Sequence, residues 1–254
     1  MTELERDLGL PSVFAISIGA MVGSGIFILP GLALKMAGPA VVLAYLLAGL
    51  LVLPAALGKS EMATAMPESG GTYLYIERGM GPLMGTIAGL GTWFSLMFKG
   101  ALALIGGAPY LVLLFDLPIK PVALAVGAIL VVVNVVGVKQ TGRLQVVIVV
   151  VMLVALTYFA IGSAPAVDPA RFEGFLDSGL TGLLQATGFV FVSYAGVTKV
   201  ASVAEEIENP DRNIPYGILG SLSFTTLLYV ALVIAMVGLV PAADLGGSNI
   251  PMAL

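Results

Sequence analysis

Apolar residues in this chain come in long runs, separated by short connections that hold most of the charge. Seven runs approach the length of about 20 residues that a helix needs to cross the hydrocarbon core of a bilayer. They cover residues 10–34, 39–65, 82–108, 121–138, 144–162, 179–203 and 215–240. Pro39, Pro82, Pro121 and Pro215 each stand at a predicted helix start, where a missing N–H costs little. The pattern predicts an all-α protein that crosses a membrane several times.

Two of the runs are interrupted near their middles. The first carries Gly19-Ala20-Met21-Val22-Gly23-Ser24-Gly25-Ile26-Phe27, in which two glycines flank a serine. A membrane helix tolerates broken backbone only where the freed N–H and C=O groups face protein or a water-filled cavity. The sixth run carries Phe191-Val192-Ser193-Tyr194-Ala195-Gly196 at a similar depth. Two interrupted spans suggest a secondary transporter holding a small polar solute near the membrane midplane. The competing reading is that the glycines serve only close helix packing.

Composition agrees with the pattern. The 254 residues are 59% hydrophobic and 10% charged, and the mean hydropathy is +1.06. A soluble domain carries about 25% charged residues. Without cysteine the chain has neither disulfides nor thiolate metal sites, and without histidine it lacks the usual near-neutral proton shuttle and commonest metal ligand. No metal site and no cofactor is expected. The net charge of −4 is small, spread over loops and says nothing of partners; no nucleic-acid partner is expected. The N-terminus, Met1 to Asp7, lacks the basic region and cleavage site of a signal peptide, so the first span is expected to be retained. A cytoplasmic N-terminus puts Arg6, Lys59, Arg78, Lys139, Arg143, Lys199 and Arg212 inside and only Lys35, Lys120 and Arg171 outside, which satisfies the positive-inside tendency.

Several polar groups fall where they are expensive. Lys99 lies within the third span, where a lysine is a functional candidate by default, as a proton carrier or a substitute for a bound cation. It can equally reach a polar cavity and pack there. Lys199, three residues after Gly196, can line the inner vestibule or pair with Glu205 or Glu206. The acidic Glu205-Glu206-Ile207-Glu208-Asn209-Pro210 segment closes the sixth span and opposes the helix dipole, so Lys199, Arg78 or Arg212 should offset it. Between the second and third spans, Met66-Pro67-Glu68-Ser69-Gly70-Gly71-Thr72-Tyr73-Leu74-Tyr75 reads as a packed turn or as a simple interfacial loop with an aromatic anchor.

The chain resembles amino-acid permeases of the amino acid–polyamine–organocation superfamily. Three segments carry the likeness: Gly23-Ser24-Gly25-Ile26-Phe27; Glu61-Met62-Ala63-Thr64-Ala65-Met66-Pro67 with Gly70-Gly71-Thr72-Tyr73; and Glu205-Glu206-Ile207-Glu208-Asn209-Pro210 with Arg212, Ile214 and Pro215. The resemblance implies a leucine-transporter-like fold of two inverted five-helix repeats, with the first and sixth helices unwound at the centre. The first repeat would cover 10–163, and 179–240 would be the opening two helices of the second, within one transmembrane domain over 1–254. The stop at Leu254, after the loop-like Gly246-Gly247-Ser248-Asn249, is then expected to mark a truncated permease.

The same resemblance assigns a site. Backbone around Val22, Gly23, Ser24, Gly25 and Ile26 would bind a substrate carboxylate, Ser24 and Gly25 foremost, with the Ser24 hydroxyl as a further donor. Carbonyls of Val192, Ser193 and Ala195, just before Gly196, would accept from the substrate ammonium. Tyr194 would flank or gate the substrate, or simply pack. Many family members carry a large aromatic where this chain has Val192. Several proton-coupled members place a lysine in the fifth span, at a position that matches Met152 here when aligned on Arg143-Leu144-Gln145. Coupling has then moved to Lys99, or uses sodium, or is replaced by substrate exchange. The expectation is a non-enzymatic plasma-membrane amino-acid permease working by alternating access, with Lys99, Lys199, Glu205 and Glu206 as coupling or gating candidates. The alternatives are a permease for polyamines or other organic cations, and a non-transporting membrane sensor or assembly partner.

Overall fold

The first apolar run does not form one helix. In the computed structural model, which describes residues 6–68, 70–115, 118–136, 138–241, 245 and 251, without the side chains of 24, 111–115, 134, 136 and 138–145, α1 (Leu10–Met21) ends where Val22 turns extended (φ −73°, ψ 118°). A single turn, α2 (Ser24–Phe27), and then α3 (Leu29–Ala37) complete the run. The chain reverses at Gly38 (φ +57°) and a 3-10 turn over Gly38–Ala40. There follow α4 (Val41–Ala65), α5 (Thr72–Met80), α6 (Pro82–Phe115), α7 (Ile119–Val136), α8 (Val138–Ser163), α9 (Gly179–Val190) and α10 (Pro210–Leu239). The architecture is all-α and multi-pass. The expected Lys139, Arg143 and 246–249 features lie outside the described residues and side chains.

Of the seven predicted spans, five stretches are long and apolar enough to cross a membrane among the described residues: Leu29–Ala65, Pro82–Tyr110, Val146–Ala166, Gly179–Glu206 and Pro210–Leu239. Leu10–Met21 and Ile119–Val133 are apolar but shorter, the first because the break cuts it. Two local expectations change. Pro215 sits inside α10, whose start is Pro210 after the left-handed Asn209 (φ 45°), with Asp211 favouring the positive end of the dipole. The 66–75 connection runs into a helix, α5, which begins at Thr72 and stops at Gly81 (φ +90°). Its turn is packed rather than slack: Gly71 lies 3.6 Å from Ser202 backbone, measured from an added Cβ, and the Tyr75 hydroxyl donates to the Ala201 carbonyl (3.4 Å).

The sixth run departs furthest from expectation. No extended break opens at its centre; instead the α-helical bonding of α9 tightens at Phe191 into a 3-10 segment, Phe191–Glu206, that is non-helical only at Val203. Runs longer than three or four residues of this type are uncommon and often mark a strained or functional stretch. Beyond it, Ile207 pairs with Leu8 in a parallel backbone bridge, Leu8 N–H donating to Glu206 (3.0 Å) and Glu208 N–H to Leu8 (3.1 Å). The start of the first span is thereby tied to the end of the sixth.

The core lies where α1, α4, α10 and the 3-10 segment meet. Tyr45, Tyr194, Tyr229, Ile18, Met21 and Ile218 are fully buried there. By contrast α6 and α7 leave Trp93, Phe94, Phe98, Ile105 and Val131 exposed. The closest approach in the core is at Gly196, where an added Cβ would collide with the Ala20 carbonyl. Gly196→Ala is therefore expected to cost about 1–3 kcal/mol from overpacking, whereas Gly188→Ala, which meets nothing within 4 Å, should not destabilise. Thermal melting of the two variants in detergent checks this, and equal melting temperatures would refute the close contact.

Candidate functional site

Ending a helix inside a bilayer leaves backbone groups without partners, and here they can be followed one by one. The Val22 N–H still reaches the Ile18 carbonyl (2.8 Å); the next backbone donor to be bonded is Ile26, on Gly23 (3.1 Å). Among the described residues the N–H groups of Gly23, Ser24 and Gly25 have no backbone acceptor. Ile18, Met21 and Ile26 are fully buried around them and Val22 nearly so. The Ser24 side chain lies outside what the structure describes.

The carbonyls around the break are taken by side chains from other spans. Lys99 of α6 donates to Ala20 (2.6 Å). Tyr229 of α10 donates to Met21 (2.9 Å), and Tyr45 of α4 to Gly25 (2.6 Å). Ser193, in the 3-10 segment, also donates to Gly25 (3.2 Å), and Tyr110 of α6 to Phe27 (2.7 Å). The tyrosines are themselves joined: Tyr45 meets Tyr229 edge-on with centroids 5.8 Å apart, and Tyr194 packs on Tyr229 at 5.4 Å while its hydroxyl donates to the Tyr45 carbonyl (2.9 Å). Below the break, the Ser17 hydroxyl reaches the Val197 carbonyl (3.3 Å) and lies 2.5 Å from that of Ser221.

The two expected halves of the site do come together. An added Cβ on Gly25 would lie 2.7 Å from Ser193 Cβ, so the chains touch there. Ser193, Tyr194 and Gly196 are buried on this side, whereas Val192 and Ala195 are exposed on the far face. Carbonyls of the 3-10 segment are engaged in its own i to i+3 bonding. Two cavities of about 670 and 640 Å³ lie elsewhere, between α1, α8 and α10 and between α6 and α7; neither touches 22–26 or 192–196. The arrangement is one in which first and sixth spans are closed on each other.

Other expectations fare unevenly. Lys99 is bonded to the break itself, not to a remote polar cavity. Tyr194 is a packed, hydrogen-bonded member of the tyrosine cluster. Lys199 is exposed, and no ion pair of its ammonium is seen among the described residues. Arg78 pairs instead with Glu68, two-pronged at 2.9 and 2.6 Å. That hydrogen-bonded guanidinium holds the Glu68 carboxyl below its usual range. Met152 is half-buried against the core. Among the described residues no three His, Cys, Asp or Glu cluster as metal ligands. The carbonyl donors Tyr45, Tyr110 and Tyr229 were not foreseen; their one sequence signal is a tyrosine within an apolar run.

Comparison with known proteins adds a family. The amino acid permease family model matches residues 12–252. A branched-chain amino acid permease of Bacillus subtilis is 29% identical, covering 99% of this chain and 58% of its own length. A methylthioribose transporter of the same organism is 30% identical, covering 99% and 59%. Cationic amino acid transporter 1 of Arabidopsis thaliana is 28% identical, covering 92% and 42%. The chain thus spans between 42% and 59% of the length of these relatives.

Two outcomes follow from this geometry. Tyr229→Phe removes the donor to Met21 and should cost about 0.6–1.7 kcal/mol, the range for interhelical hydrogen bonds in membranes; Tyr216→Phe, on the exposed face, should be neutral, and paired denaturation curves distinguish them. For Glu68, the lowered carboxyl makes its contribution present above the usual carboxylate pKa of about 4.3 and lost as pH falls through the lowered value. A carbon-13 titration of the Glu68 carboxyl should show its midpoint returning upward in Arg78→Gln, and an unchanged midpoint would remove Arg78 as the cause.

Proposed function

The chain belongs to the amino acid permease family, and from that premise we propose that it carries amino acids across the plasma membrane by alternating access, as a secondary transporter and not an enzyme. The observation that carries the reading is the break at Val22–Gly23, where the N–H groups of 23–25 have no backbone acceptor among the described residues and Gly25 lies against Ser193 of the sixth run. Donors without acceptors suit a substrate carboxylate. In this reading Val22 to Ile26 take the carboxylate, while carbonyls of Val192, Ser193 and Ala195, freed as the 3-10 segment loosens near Gly196, take the ammonium. Tyr194 then separates with the sixth run as the site opens. Residues 10–163 form the first repeat of a leucine-transporter-like inverted pair, and 179–240 open the second, with the N-terminus cytoplasmic.

Lys99 supplies a positive charge at the end of α1, where a cation is favoured by the dipole. It is the coupling candidate for a proton-driven cycle; sodium coupling and exchange remain the other modes. Lys199, Glu205 and Glu206 belong to the inner gate in this reading. The relative named as a methylthioribose transporter supports widening the substrate test beyond amino acids.

Uptake into proteoliposomes tests the proposal. Labelled leucine should accumulate and be competed by free amino acids, but not by analogues lacking the carboxylate or the ammonium. Gly25→Val, which forces a side chain against Ser193, should reduce uptake at least tenfold while protein remains monodisperse. Competition by amines alone would favour an organic-cation permease. Ligand binding with no flux would favour a sensor.

A further inference from the structure

The larger cavity has no place in the transport site. It is a groove of about 670 Å³ opening to the outside of the bundle, between the N-terminal half of α1, the middle of α8 and the start of α10. Its floor is made by close packing: Phe14 lies over Gly220, 3.5 Å from an added Cβ there, and its ring meets Phe224 edge-on. Val149, Val150 and Leu153 of α8 form one apolar wall. Two residues in the lining break this character, Arg212 and Tyr216, one turn apart on α10 and both exposed. The groove therefore has an apolar length and a cationic, hydroxylated mouth.

The mouth lies at a membrane boundary, because Arg212 is in the first turn of a membrane-crossing helix. An arginine there sits at the positive end of the helix dipole, an unfavourable place for a cation unless an anion is shared. No carboxylate lies within ion-pair distance of Arg212 among the described residues. Asp211 is adjacent in sequence, but successive helical positions point about 100° apart. Acyl chains fit apolar walls, and a guanidinium matches phosphate geometry with paired donors.

We propose that this groove binds one anionic phospholipid, its phosphate on Arg212 beside Tyr216 and an acyl chain along Phe14 and α8. The site is separate from the break that would hold a transported solute. Its front wall is the half of α1 that precedes Val22, so a bound lipid braces that half-helix against α8 and α10.

Native mass spectrometry of the purified chain in detergent, titrated with phosphatidylglycerol, phosphatidylcholine or oleate, tests the assignment without requiring transport. One phosphatidylglycerol should be retained in preference to phosphatidylcholine. Arg212→Gln should weaken phosphatidylglycerol about fivefold, the worth of one basic residue at a lipid surface, and weaken phosphatidylcholine, whose choline offsets its phosphate, by less. Arg212→Lys should keep most of the preference, and Val150→Trp, which fills the groove from an exposed position, should abolish retention in a protein that stays monodisperse. Equal binding of the two phospholipids by the wild type, or unchanged phosphatidylglycerol affinity in Arg212→Gln, would overturn the proposal. Oleate held as tightly as phosphatidylglycerol would overturn it in favour of a fatty-acid site.

Discussion

A carbonyl oxygen in the middle of a bilayer must find a hydrogen, and this structure is arranged around that demand. Once α1 stops at Met21, the carbonyls of Ala20, Met21, Gly25 and Phe27 are met by donors from α4, α6, α10 and the 3-10 segment. The bundle is thus held at its centre by bonds that cross between helices, where apolar packing alone provides little drive for association in lipid. The N–H groups of the same break receive no such cover among the described residues. At the break, then, the bonded carbonyls of Ala20, Met21, Gly25 and Phe27 stand beside N–H groups with no backbone acceptor among the described residues.

Glycine and tyrosine divide the work. Small residues at Gly25 and Gly196 let the first run and the sixth touch, backbone to side chain and backbone to backbone. Tyrosines 45, 194 and 229 then fill the space around that contact with rigid rings whose hydroxyl ends reach backbone oxygen. An aromatic ring with a polar tip is suited to a dry site that still contains carbonyls. Substituting phenylalanine at any of them would preserve shape and lose the hydroxyl.

Much of the fold was legible because a bilayer imposes one length scale on apolar runs. The break was legible too, as one of two uses of Gly-Ser-Gly in mid-span; the other, close packing, is also present at Gly25 against Ser193. The hydrogen-bond donors were not. Tyr45, Tyr110 and Tyr229 bond to main-chain oxygens, and a backbone acceptor leaves no letter in the sequence to pair with. Lys99 stood out by its charge, but its target, Ala20, carries no side-chain signal at all. The sixth run misled for a related reason: Gly196 marks a close approach as readily as an unwinding, and here the chain tightens into 3-10 bonding. At α10 the start expected at Pro215 lies a turn too late: the left-handed Asn209 sets it at Pro210.

The short bridge between Leu8 and Ile207 has a different kind of reach. Its two bonds are entirely main-chain, donated by the amides of Leu8 and Glu208. Glu208 is exposed, so almost any amino acid there would keep the bond. Proline alone, lacking the amide hydrogen, would cut it. The mechanical joint between the first and sixth runs is therefore protected from most mutations by being written in backbone.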